Sequence, residues 1–173
     1  MIKKIENILI IDYGSQYTQL IARRIRELEV FCLVYPYHKI TNKLISDLNP
    51  SAFILSGGPK SVLDKNSPKL NSNILNLKKP ILSICYGMQL ITKTLNGKVT
   101  RSIHREYGHT LINIKKKSLI FSGIKNNKIK VWMSHGDNIK KIPNSFSISS
   151  ISDNNIISSM ENKKNKIYCL QFH

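Results

Sequence analysis

The sequence has 173 residues, and its 27 lysines and arginines against 10 aspartates and glutamates give a formal net charge of +17. That length suits one domain able to bury about two-thirds of its unfolded surface, and no run approaches the roughly 18 apolar residues of a membrane span. The charge is mostly lysine, scattered from Lys3 to Lys166 with one triplet at Lys115–Lys117, and no aromatic residues interleave with it as a stacking surface needs. This argues against a nucleic-acid partner.

In chain order the pattern first alternates. "NILIID" (7–12) is a continuous apolar run, as expected of a strand covered on both faces. "SQYTQLIARRIRELE" places Ile21, Ile25 and Leu28 on one side and arginines on the other, which predicts an amphipathic helix. "VFCLVYP" is a second strand. "TNKLISDLNP" is a short helix with Thr41 as N-cap and Asn49-Pro50 as its stop. "AFILSGGP" runs from a third strand into a glycine turn. "LNSNILNL" reads as helix and "ILSIC" as a fourth strand. Met88, Ile91 and Leu95 then form a helical stripe closed by Asn96-Gly97. This order predicts an α/β fold with a mostly parallel sheet flanked by helices. From Thr100 onward "HTLINI", "KIKVWM", "SFSISSIS", "NIISSM" and "KIYCLQF" are strand candidates with little helix between them. They read as an antiparallel C-terminal extension of one domain over residues 1–173.

Sites in such sheets form at the carboxyl ends of strands. "SGGP" (56–59), "SICYGMQ" (83–89) and "QFH" (171–173) occupy such ends, and "WMSHGD" (132–137) adds a polar cluster after a strand. Ser83-Ile84-Cys85-Tyr86-Gly87 has the small-x-nucleophile-x-small form of a nucleophile elbow. The helix N-terminus that follows is expected to favour the thiolate of Cys85. Cys32 and Cys169 lie within apolar strands and read as core fillers. An odd cysteine count, with an N-terminus too short and polar for a signal peptide, points to reduced thiols in a cytoplasm. A thiolate in acyl transfer wants a histidine. His173 ends a strand and could face the elbow, whereas His135, in a Gly-containing turn, is equally well structural. His38, His104 and His109 read as surface residues. Gly57 and Gly58 would let backbone approach a ligand closely and supply a second oxyanion donor.

Together these residues resemble the class I (triad) glutamine amidotransferases, with a flavodoxin-like sheet, and within them the glutaminase domains of GMP synthetases. "IDYGSQYTQLIARRIREL", "ILSGGPKSV", "NSP", "CYGMQL", "REYGH", "VWMSHGD" and "LQFH" occur in that family's order over nearly the whole chain. The resemblance implies that Cys85 attacks the side-chain amide of glutamine, forming a γ-glutamyl thioester and releasing ammonia, with His173 as general acid/base. It implies an oxyanion hole from the N–H groups of Gly58 and Tyr86. It also implies a substrate site at Gln89 and around Ser134, His135, Gly136 and Asp137. No metal or cofactor is implied in this domain. ATP and Mg belong to an ATP-pyrophosphatase (synthetase) domain, in cis or in trans, that would aminate XMP to GMP, in an enzyme expected to be a homodimer. Two departures stand out. Ser83 replaces the family's usual glycine, and the family's last motif runs His-Pro-Glu whereas this sequence ends on His173. The expectation is therefore a domain lacking its triad glutamate, its terminal helix and its synthetase partner. An impaired remnant that only binds a partner is the alternative function.

Overall fold

A computed structural model describes residues 6–115 and 118–173, with backbone alone at 103–105. Lys3, Lys116, Lys117 and the side chain of His104 therefore lie outside the described residues. The first half alternates as its periodicity predicts: β1 (Asn7–Asp12), α1 (Thr18–Glu27), β2 (Phe31–Pro36), α2 (Asn42–Leu48), β3 (Ala52–Leu55), α3 (Asn73–Asn76), β4 (Ile81–Ile84) and α4 (Tyr86–Thr94). Five strands follow: β5 (Lys98–Ile114), β6 (Lys128–Lys141), β7 (Ser147–Ser152), β8 (Ile157–Asn162) and β9 (Ile167–Leu170).

All nine strands form one sheet, in the order β2-β1-β3-β4-β9-β8-β7-β5-β6. The antiparallel strands are thus a continuation of the central sheet, and the element that joins the halves is β9. It runs parallel to β4 on one side and antiparallel to β8 on the other. Its burial suits that mid-sheet place: Ile167 and Cys169 are at most 4 % exposed on one face, and Tyr168 and Leu170 are partly covered on the other.

Helices cover both faces of the parallel half. Ala22 and Ile25 of α1 pack on Ile10, Cys32, Ile54 and Ile84. On the other face Ile45 of α2, Ile74 of α3 and Met88 and Ile91 of α4 pack on Leu9, Ile11, Phe53 and Leu55. Leu28 departs from the expected stripe, because α1 ends at Glu27 and leaves it 75 % exposed; the inward residues are Thr18, Ala22 and Ile25. Thr41 caps α2 as expected, its hydroxyl accepting from the Leu44 N–H at 3.1 Å, and Asn49 ends the helix with φ 40°. "LNSNILNL" yields only the four-residue α3. A third apolar cluster, Ile112, Phe121, Val131, Met133 and Phe172, supports the β5–β6 side. No helix among the described residues is long and apolar enough to cross a membrane.

Candidate active site

Three neighbouring strands deliver the site. β3, β4 and β9 are adjacent and parallel, with Leu55 beside Ser83 and Ile84 beside Leu170. Their carboxyl ends therefore lie side by side, and they release Ser56-Gly57-Gly58, Cys85 and His173 into one place. Parallel pairing of β4 with β9 is what brings together two residues 88 positions apart (173 − 85) in the sequence.

Cys85 has φ 51° and ψ −105°, a conformation L-residues rarely adopt. Its backbone N–H donates to Leu170 O at 2.7 Å and its carbonyl accepts the Gln89 N–H of α4. The chain therefore turns within one residue from strand to helix. Gly87 makes the turn possible, since a Cβ there would lie 2.6 Å from Leu55 O. Ser83 is fully buried in β4 and the elbow forms with it in place.

The elbow does not yield a free thiolate. Burial pushes the Cys85 thiol up to about 11, outweighing the Tyr86 N–H and the Gln171 amide beside the sulfur, which act in the opposite sense. In a site only 6 % exposed, burial therefore outweighs the lowering expected from the motif. The thiol instead donates to Ser134 O at 3.6 Å.

His173 is half-buried beside it. Its backbone N–H donates to Trp132 O at 2.9 Å, and its ring lies 4.7 Å from that of Tyr17, tilted by 41°. Burial, and secondarily the charge of His135, hold its imidazole below the usual range, so it is a free base at neutral pH. Gly57 is wedged between the two groups: a Cβ there would come within 3.2 Å of His173 Cε1 and 3.5 Å of Cys85 Cβ. Gly58 is equally constrained, by Tyr13 O at 2.6 Å from any added Cβ. The loop after β1 is held by Asp12, whose Oδ1 accepts from the N–H groups of Gly14 and Ser15 and from the Thr18 hydroxyl.

Two cavities meet at Cys85, sharing Gly58, Pro59 and Ser134. The larger, about 510 Å³, is lined by Tyr86, Gln89, Ser134, His135, Gly136 and Asp137, with Lys60, Asp64 and Arg101 at its rim. The smaller, about 270 Å³, lies on the His173 side against Ser15, Gln16 and Tyr17. Every residue expected at the site therefore borders one cavity or the other.

"WMSHGD" is not a turn after a strand. It lies inside β6, paired with β5, and His135 is a buried strand residue whose register partner is Glu106. Gly136 and two polar residues look like loop in the sequence, whereas along β6 Val131, Met133, His135, Asp137 and Ile139 all face inward at period two. Asp137 accepts a short hydrogen bond from Ser61 and so ties β6 to the loop after Gly58. Gln89 Nε2 donates to Asp137 O at 3.2 Å and to Gln171 Oε1 at 3.3 Å. Glu106 and Gln171 lie within the "REYGH" and "LQFH" motifs, yet the motifs alone give them no role; inward parity on their strands is the signal that finds them. His38 and His109 lie away from the cavities, and His109 packs edge-on against Trp132 at 5.1 Å. Cys32 and Cys169 are core residues. Among the described residues no three His, Cys, Asp or Glu side chains gather as a metal site would require.

A strained thiol, an uncharged imidazole and glycine backbone at one cavity form a donor set for acyl transfer. The family model for class I glutamine amidotransferases matches residues 9–173. The chain belongs to that family. Among curated amidotransferase relatives, the GMP synthase [glutamine-hydrolyzing] of Petrotoga mobilis is 53 % identical over 168 residues, covering 97 % of this chain and 32 % of that protein. That of Borrelia garinii subsp. bavariensis is 52 % identical over 167 residues, covering 96 % and 31 %. The chain thus spans about a third of the length of the curated relatives it matches. Among solved structures, a Thermoplasma acidophilum protein assigned as one subunit of a GMP synthase is 27 % identical with a TM-score of 0.80, covering 99 % of this chain and 85 % of that one. A Thermotoga maritima glutamine amidotransferase, at 20 % identity and a TM-score of 0.81, covers 99 % of this chain and 76 % of that one and has the same fold.

Proposed function

We propose that this chain is the glutamine-hydrolysing part of a GMP synthase, releasing ammonia for the ATP-dependent amination of XMP. The observation that supports it most is the convergence of Cys85, His173 and Gly58 at the ends of three adjacent strands, in a chain half identical to GMP synthases. Glutamine would enter the larger cavity with its side-chain amide toward Cys85. Its head group would meet Gln89 and the backbone of Ser134, His135, Gly136 and Asp137.

His173 takes the thiol proton as sulfur attacks the amide carbon. The oxyanion is received by the N–H groups of Gly58 and Tyr86. Neither needs reorganisation, because Gly58 is packed tightly on Tyr13 and the residue after Tyr86, Gly87, is packed as tightly on Leu55. His173 then protonates the departing ammonia, leaving a γ-glutamyl thioester that water hydrolyses with the same base. The smaller cavity lies on the His173 side, and through it ammonia would leave and water would enter. A synthetase partner, in cis or in trans, supplies the ATP and Mg chemistry. The enzyme works in the cytoplasm, as a homodimer when complete.

A glutaminase assay tests this reading. The chain, and the same chain joined to or mixed with a synthetase partner, should convert glutamine to glutamate, and Cys85→Ala should lower the rate by about 10⁴-fold or more. Glutamate release that persists in Cys85→Ala defeats it.

A further inference from the structure

His135 is at most 4 % exposed, and both of its ring nitrogens face acceptors. Nε2 lies 3.1 Å from the carboxylate of Glu106, and Nδ1 lies 3.1 Å from Asp137 O. A neutral imidazole carries one N–H and would leave one of these acceptors facing a lone pair. Glu106, equally buried, also accepts from Ser152 Oγ at 3.0 Å and Asn154 Nδ2 at 2.8 Å. A carboxylate met by three donors is stabilised in its ionised form. Burial alone would raise the Glu106 carboxyl, yet the hydrogen bonds from His135, Asn154 and Ser152 hold it below the usual carboxylate range.

We propose that His135, hydrogen-bonded through both ring nitrogens, and Glu106 form a buried imidazolium–carboxylate pair that positions the β6 backbone for glutamine. This rests on the glutaminase reading. The backbone on either side of His135 touches the reacting groups: Ser134 O holds the Cys85 thiol, and Asp137 O accepts from both His135 and Gln89. Glu106 binds groups from β6, β7 and the turn after β7, so one carboxylate fixes the height and tilt of the strand that walls the larger cavity. Both are positioning residues. The titratable groups around His135 are Glu106 from β5, its direct partner, and His173 beyond β9; the Asp137 carboxylate of β6 is held by Ser61, and Arg101 and Asp64 pair with each other at the cavity rim.

The first measurement needs no variant. Nitrogen NMR of the chain with ¹⁵N-labelled histidine should show a proton on both ring nitrogens of His135, since each faces an acceptor. One unprotonated ring nitrogen at pH 7 overturns the pair. The second compares Glu106→Gln and Glu106→Asp with the parent in kcat and KM for glutamine. Glu106→Gln removes the charged acceptor that holds the His135 ring and with it the fixed place of β6. That variant should be about 10–100-fold weaker in kcat/KM, through KM rather than kcat, and Glu106→Asp, which keeps the carboxylate, should recover most of the loss. A loss carried by kcat, or no recovery in Glu106→Asp, overturns the positioning role. Failure of the glutaminase reading looks different: the parent itself then releases no glutamate, and ring-nitrogen protonation still decides the pair.

Discussion

At the scale of single residues, the resting Cys85 is a thiol and the resting His173 a free base. An ion pair between them does not precede substrate. Two outcomes follow. A small neutral alkylator should modify Cys85 slowly near pH 7 and about tenfold faster for each pH unit until the thiol's value of about 11 is reached. A glutamine-shaped chloroketone should react quickly at neutral pH, because it brings His173 into use; followed by mass spectrometry, it should label Cys85 once. Labelling of Cys32 or Cys169 in the folded chain instead of Cys85 contradicts the site geometry, since both are buried in the core and neither lines the two cavities that meet at Cys85.

At the scale of elements, the strand-to-helix turns carry the precision of the site. Gly87→Ala would press a methyl group onto the Leu55 carbonyl, costing about 1–3 kcal/mol by overpacking and displacing the elbow. Urea unfolding with a glutaminase assay should show both losses together. Thr41→Ala removes the cap of α2 and should cost about 1 kcal/mol with no change in glutaminase activity, since α2 lies remote from both cavities. The parallel half is legible in the sequence because each element has a period of its own: NILIID and AFIL are apolar throughout, and Thr41 and Asn49 bracket α2. The elbow at Cys85 is legible because the small residues Ser83 and Gly87 flank a cysteine at the end of such a run. β5 and β6 are longer than their apolar patterns suggest, because their inner faces carry Glu106, His135 and Asp137 among the apolar residues. Polar side chains break the alternation that reveals a strand, and here they are buried because they satisfy one another. Pairing partners such as β9 with β4 depend on tertiary burial, which no local pattern encodes.

At the scale of the whole molecule, charge sets the response to acid. Glu106 sits below its ordinary value in the fold, so its contribution is complete above the unfolded carboxylate pKa of about 4.3 and is lost as pH falls through the lower folded value. Protonation adds positive charge to a chain already at +17, which works in the same direction. The urea midpoint should therefore drop steeply below about pH 4.5, and Glu106→Gln should flatten that limb; an unchanged limb would exclude Glu106 as its source. The mid-sheet place of β9 also has a meaning in time. Synthesis proceeds from the N-terminus, yet β4 and β8 have no bond to each other until residues 167–170 slide between them. A growing chain on the ribosome holds two unclosed half-sheets, each with a bare edge facing the gap. The strand that seals the gap also brings the histidine. If His173 is the base, as proposed above, the step that closes the sheet is also the step that completes the site, and a nascent chain stays silent toward glutamine until then.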